Sequence, residues 1–213
     1  MTVNYLQVKN IIYKIADVIE ENKMYLTNLD AAIGDGDHGL NMSKGFKVVK
    51  EKLESDESKN IGDILKKVSM ALISTVGGAS GPLYGTAFMK AGMKAINKDE
   101  IDINDFTLLL EEALKGIKDR GKATIGEKTM VDTLEPALYA LKASINDKLD
   151  CVECLDKMMD AAFIGKENTK DMIAKKGRAS YLGERSKGHL DPGAVSSYLI
   201  LKTICDEVKA IRG

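Results

Sequence analysis

Apolar residues recur along almost the whole chain at the three- and four-residue spacing that lays them on one face of an α-helix. Val8, Ile11, Ile12, Ile15, Val18 and Ile19 stripe a first helix near 3–22. The pattern predicts a second helix from Asn41 to about Leu53. Ile61, Ile64, Leu65, Val68, Leu72 and Ile73 mark a third, to about Val76, and a fourth starts near Tyr84 and fades by Ile96. Phe106, Leu109, Leu110, Ala113, Leu114 and Ile117 mark a fifth, with Asn104 or Asp105 as its cap. A sixth begins at Thr129, where Asp132 suits a capping-box-like start and Pro136 a kink. A seventh covers about 151–175. The eighth opens on Asp191-Pro192, an N-cap followed by proline at the first helical position, and continues through Val195, Leu199, Ile204, Val208 and Ile211. No stretch makes a convincing strand.

Eight helices without a Pro/Ser-rich linker or a repeat read as one all-α domain over residues 1–213, and short connections make neighbouring helices antiparallel. Four connections are unusually rich in glycine: 29–39, 77–85, 121–128 and 177–193. They follow the first, third, fifth and seventh helices. In an up-and-down arrangement every second loop falls at the same end, so the counting predicts one composite site at one rim.

Composition narrows the partners. The chain has 31 basic and 32 acidic residues, a balance that gives no electrostatic reason to expect nucleic acid or an anionic membrane. No apolar run approaches the roughly 18 residues of a membrane span. Trp is absent and Phe occurs four times, so Leu, Ile, Val, Ala and the ten Met build the core. Cys151-Val-Glu-Cys154 has the spacing of a metal or redox pair, but no second pair completes a zinc site and no strand precedes it; both read as ordinary helix positions. Three cysteines and no recognisable signal sequence fit a reducing cytoplasm.

The densest chemistry lies in Leu29-Asp30-Ala31-Ala32-Ile33-Gly34-Asp35-Gly36-Asp37-His38-Gly39. Glycines beside Asp35 and Asp37 let the backbone turn sharply and aim both carboxylates at one point. Converging carboxylates repel unless a hard cation sits among them, which points to Mg²⁺, an ion that usually accompanies phosphates. An EF-hand is excluded because the closing Glu is missing. Gly77-Gly78-Ala79-Ser80-Gly81-Pro82-Leu83-Tyr84-Gly85 reads either as a flexible turn or as a phosphate cradle, with Ser80 as a hydroxyl donor. In 121–130, two lysines and a helix start suit a nucleotide, and Met130 offers a soft surface to a base; a plain connecting loop fits as well. Arg178, Arg185, Lys187 and His189 make 177–193 basic and long, as a lid over a polyphosphate or as a solvated loop. His38 adjoins the aspartates and reads as a nucleotide hydrogen-bond donor rather than a phosphorylation site.

Taken together, 29–39, 77–85, Gly-Glu-Lys-Thr-Met-Val-Asp-Thr-Leu-Glu-Pro-Ala (126–137) and Gly-Arg-Ala-Ser-Tyr-Leu-Gly-Glu-Arg-Ser (177–186) closely resemble the L-subunit family of dihydroxyacetone kinases, across nearly the whole chain. The resemblance implies an eight-helix barrel with a nucleotide at one rim. It implies that Asp30, Asp35 and Asp37 hold two Mg²⁺ ions and, with Arg178, form the catalytic set. It implies ADP contacts from His38, Gly39, Leu40, Asn41, Ala79, Ser80, Gly121, Met130, Arg178, Asp191, Pro192 and Gly193. In the freestanding form of that family, tightly held ADP accepts a phosphoryl group from an M subunit of the phosphotransferase system. It then passes the group to dihydroxyacetone on a K subunit. The alternatives are exchanging ATP as donor, and a nucleotide-dependent regulatory module that touches a transcriptional regulator. The 213-residue length favours the freestanding form, and a cytoplasmic homodimer is expected.

Overall fold

Nine α-helices and two three-residue strands make up the described residues 1–212 of the computed structural model. The chain opens with β1 (Thr2–Asn4), whose last residue caps α1 (Tyr5–Glu21) through a reciprocal box with Gln7. Asn22 interrupts the helix: its side-chain amide and its backbone N–H both donate to Val18 O, at 2.8 and 3.0 Å. A further helix, α2 (Lys23–Ile33), continues the rod. Sequence periodicity missed α2 because Leu26, Asp30 and Ile33 are its only buried residues, too few to draw a stripe.

The remaining helices are α3 (His38–Glu54), α4 (Ile61–Thr75), α5 (Ser80–Lys94), α6 (Ile103–Gly121), α7 (Val131–Asn146), α8 (Cys151–Asn168) and α9 (Pro192–Arg212). Helix α3 packs along both α1 and α2, each later helix packs on the one before it, and α9 returns to α1. Counting α1–α2 as one bent rod, eight antiparallel rods close into a barrel, the architecture that the helix count predicts. Ile15, Ile19, Leu26, Phe46, Leu72 and Leu141 are among its most deeply buried side chains, each ~1.5–3 kcal/mol better off than in water. An apolar cavity of about 190 Å³ lies inside the ring, among residues that include Ile12, Leu65, Phe88, Leu110, Leu155 and Ile204.

Several boundaries differ from the sequence expectation. Strand β2 (Glu100–Asp102) pairs antiparallel with β1, Val3 opposite Ile101; three-residue strands show no readable alternation. Helix α3 starts at His38 rather than Asn41, and α5 at Ser80 rather than near Tyr84. The cap of α6 is Asp102, not Asn104 or Asp105; Asp105 is its reciprocal partner, donating its N–H to Asp102 Oδ1 at 2.8 Å. Helix α8 ends at Asn168, where a 3-10 turn (Thr169–Asp171) begins, short of residue 175. Pro136 sits inside α7, and Cys151 and Cys154 lie in the first turn of α8.

The connections alternate between two ends. Loops 34–37, 76–79, 122–130 and 172–191 share one rim. Loops 55–60, 95–99 and 147–150 share the other, with the β1–β2 pair.

Candidate functional site

Asp30 stands in the last turn of α2, and Asp35 and Asp37 follow in the tight link to α3. Asp30 is only 9% exposed; its Oδ2 accepts the N–H groups of Asp37 at 2.9 Å and His38 at 3.2 Å. Those bonds fold the link back over the carboxylate. Gly36 has φ +72°, a conformation that side-chain-bearing residues rarely adopt, and a Cβ on Gly34 would collide with the Asp30 carboxylate. One oxygen from each aspartate can therefore lie within 4.8 Å of the others. Their one close counter-charge is Arg178, whose Nε lies 2.9 Å from Asp35 Oδ2 while its side chain stays 69% exposed. Three carboxylates beside one exposed guanidinium leave negative charge over. Oxygen-only donors with room for water are what Mg²⁺ takes, so this set fits the ion.

Around the aspartates two helices begin without a side-chain cap, α3 after Asp37 and α5 after Ala79, and α7 begins beside them after Met130. Helix starts carry partial positive charge and free N–H donors, so they attract anions. At α7, Thr129 Oγ1 accepts from Val131 N–H at 3.2 Å, and Asp132 takes the N–H of Thr129 at 2.7 Å, the box-like start the sequence suggests. At the fourth start, Asp191 Oδ2 accepts from Ala194 N–H at 2.7 Å.

These parts surround a cleft of about 260 Å³. Asp30, Asp35, Asp37, His38, Asn41, Ala79, Ser80, Gly121, Met130, Arg178, Asp191, Pro192 and Gly193 all line it. Gly39 and Leu40 do not. Gly39 packs against the Lys23 carbonyl of α2, and Leu40 turns outward, 49% exposed. The resemblance implies contacts from the whole run 38–41; a helix start sends successive residues in different directions.

His38 is buried, and both ring nitrogens are engaged: Nδ1 lies 2.9 Å from Ser80 Oγ and Nε2 2.9 Å from Ser196 Oγ. Burial pushes its pKa down to about 4, against the pull of Asp30, so the ring is neutral at pH 7. This corrects the expectation that the ring itself donates to a nucleotide. Beyond it, Tyr84 Oη lies 2.7 Å from Ser196 Oγ and 2.9 Å from Ser197 Oγ. Burial pushes Asp191 up to about 7, although the Ala194 N–H and Lys128 favour its ionised form.

Periodicity gave no signal for Tyr84, Ser196 or Lys128. Lys128 is 1% exposed, with Nζ donating to the carbonyls of Thr169 and His189. It thereby ties the α6–α7 loop to the end of α8 and to the strap before Asp191. The other lysine of that loop, Lys122, is the left-handed C-cap of α6. The basic segment is more ordered than a plain loop. Arg178–Ser186 forms a 3-10 segment broken at Gly183, anchored by Ser186, which accepts from Ala174 N–H at 2.9 Å.

Comparison with known proteins adds independent findings. Residues 32–206 match the DAK2 domain family. The chain is 47% identical over 182 residues to the "PEP-dependent dihydroxyacetone kinase 1, ADP-binding subunit DhaL" of Listeria innocua, covering 85% of this chain and 86% of that protein. It is 44% identical over 195 residues to the "PTS-dependent dihydroxyacetone kinase, ADP-binding subunit DhaL" of Lactococcus lactis, covering 92% of this chain and 93% of that protein. The structure resembles that of the C. freundii dihydroxyacetone kinase in complex with AMP-PNP and Mg²⁺, with a TM-score of 0.70 and 25% identity. That match covers 97% of this chain but only 34% of the longer C. freundii chain.

Proposed function

The chain belongs to the DAK2 domain family, and from that premise we propose that it is the ADP-binding subunit of a phosphoenolpyruvate-dependent dihydroxyacetone kinase. One observation carries the reading: three carboxylates and the two uncapped starts of α3 and α5 converge on a single cleft. In this reading Asp30, Asp35 and Asp37 hold two Mg²⁺ ions, and bound ADP with its metal supplies the phosphoryl carrier.

The protein's own residues position and neutralise. Asp30 fixes the link through the Asp37 and His38 N–H groups. The starts of α3, α5 and α7 and the Ser80 hydroxyl offer donors to phosphate oxygens. Arg178 balances Asp35 and, exposed as it is, can swing to a bidentate contact with a phosphate. Met130 and Gly193 meet at the cleft wall, and Gly177, Arg178 and Ala179 of the basic segment line its rim. The acceptor, dihydroxyacetone, sits on a K subunit, and the phosphoryl group comes from an M subunit of the phosphotransferase system. The word "subunit" in the names of the Listeria and Lactococcus relatives supports a partner chain, and "PTS-dependent" in the Lactococcus name is consistent with a phosphotransferase-system donor. The reading also takes the subunit to be a cytoplasmic homodimer; no helix among the described residues is long and apolar enough to cross a membrane.

The test is a coupled assay of dihydroxyacetone phosphate formation. Alone, the chain should produce none. With the K subunit, a phosphorylated M subunit and catalytic ADP–Mg²⁺ it should turn over. Turnover with millimolar ATP and none with the M subunit would replace this reading by the ATP-dependent one.

A further inference from the structure

We infer that His38 is a positioning residue: as its Nδ1–H tautomer, in a hydrogen-bond chain running from Tyr84 through Ser196 to Ser80, it holds the Ser80 hydroxyl as a donor to a nucleotide phosphate. The inference rests on the nucleotide reading above and deepens it.

The chain is continuous. Tyr84 Oη lies 2.7 Å from Ser196 Oγ, Ser196 Oγ 2.9 Å from His38 Nε2, and His38 Nδ1 2.9 Å from Ser80 Oγ. Ser80 and His38 both line the cleft, and the two ring nitrogens of His38, 7% exposed, face hydroxyls on both sides. The direction of each bond follows from the ligand end. Ionised phosphate oxygens only accept, so Ser80 spends its single proton on them and must accept from His38. That places the proton on Nδ1. A neutral imidazole has one N–H, so Nε2 accepts, Ser196 donates to it, and Ser196 in turn accepts from Tyr84. Every donor then points toward the anion, and hydrogen bonds aligned in this way strengthen one another. Without the anion the order is not imposed. Ser196 has Pro192 O at 2.9 Å as a second acceptor, and Tyr84 has Gly193 O at 3.2 Å. The ring is then free to take either tautomer. His38 thus links the phosphate loop before α5 to the first turn of α9, two segments far apart in sequence.

Nitrogen-15 NMR of the imidazole reads the tautomer directly in the full chain, and the chain contains only two histidines, His38 and His189. His189→Gln assigns the signals. With saturating ADP and Mg²⁺, His38 should show a protonated Nδ1 and a bare Nε2. Calorimetry on variants gives a second readout. Ser80→Ala and Ser196→Ala should each weaken ADP binding about ten-fold, the first by removing the charge-assisted donor and the second by removing the bond that fixes the ring tautomer behind it. If they act through one chain, the double variant should lose little more than either single one. A protonated Nε2 in the ADP-bound protein overturns the inference, as does a roughly hundred-fold, additive loss in the double variant. Wild-type protein that binds no ADP in calorimetry fails earlier and removes the nucleotide reading itself, so the two failures are told apart.

Discussion

The two ends of the barrel use the same kinds of helix starts and loops but treat their polar groups in opposite ways. At the distal end α1, α4, α6 and α8 begin, and each has a side-chain cap: Asn4, Asn60, Asp102 and Asp150. At the rim, α3 and α5 begin with none, whereas α7 starts on the box of Thr129 and Asp132 and α9 on Asp191. Charge follows the same division. Distal Asp56, its side chain 1% exposed, pairs with Lys9 and Lys67 and accepts from Ser58 N–H at 3.0 Å. Burial raises its pKa, but Lys67, Ser58 and Lys9 outweigh that and hold the carboxyl at about 2. Of the rim aspartates Asp35 pairs with an exposed arginine, Arg178. An end that satisfies its own donors and charges stabilises the fold. An end that leaves both open reserves them for a ligand, and the protein tolerates this because the distal end and the core carry the stability.

The comparison breaks most visibly at Asp56. Asp56→Ala takes the carboxylate from Lys67 and from buried Lys9, which keeps only its bond to the backbone carbonyl of residue 56, and should cost about 3 kcal/mol in chemical denaturation, while calorimetry on the folded fraction finds ADP affinity unchanged. The rim should answer in reverse. Asp35→Asn should weaken Mg²⁺-dependent ADP binding by about 100-fold, near 2.7 kcal/mol, and leave the helical circular dichroism intact. Wild-type affinity in that variant would remove the metal assignment.

Acidity separates two rim groups of opposite sign. With its pKa raised from 3.8 to about 7, native Asp191 keeps a proton that the unfolded chain releases. Its contribution is present in acid and lost as the pH rises through about 7. His38, lowered from 6.5 to about 4, contributes above pH 6.5 and loses that contribution as the pH falls toward 4. Between pH 6 and 8 in EDTA the Asp191 loss of about 1.4 kcal/mol exceeds the His38 gain of about 0.8 kcal/mol, so stability should decline by about 0.5 kcal/mol. Asp191→Asn should reverse that slope and leave the His38 rise. The caps have local effects. Asp150→Ala should cost about 1 kcal/mol without touching ADP binding. Ala79→Asp, which gives α5 the cap it lacks, should stabilise the free protein by about 0.5 kcal/mol and weaken ADP binding through charge repulsion.

Much of this was legible in the chain. Helices α1, α4 and α9 announce themselves through apolar residues on one face, and the Asp191-Pro192 start is visible as two letters. The shared rim followed from counting elements, and the missed α2 did not disturb the count because it prolongs α1 instead of reversing the chain. The boundaries that escaped were those where glycine obscures the stripe: His38–Leu40 at the start of α3 and Ser80–Leu83 at the start of α5. Cap identity at α6 escaped because Asp102, Asn104 and Asp105 are equally plausible caps by type, and only backbone angles choose among them.

Amino-acid order alone determined the all-helical class, the antiparallel order and the carboxylate triad, because helical period and loop chemistry act over a few residues. Tertiary structure decided the partners of those groups. Lys128 looks like any loop lysine until Thr169 and His189 present their carbonyls to it, and His38 looks like a ligand donor until Ser80 and Ser196 occupy its two nitrogens. Such contacts join residues up to 158 positions apart, and closure of the barrel brings them within hydrogen-bond reach.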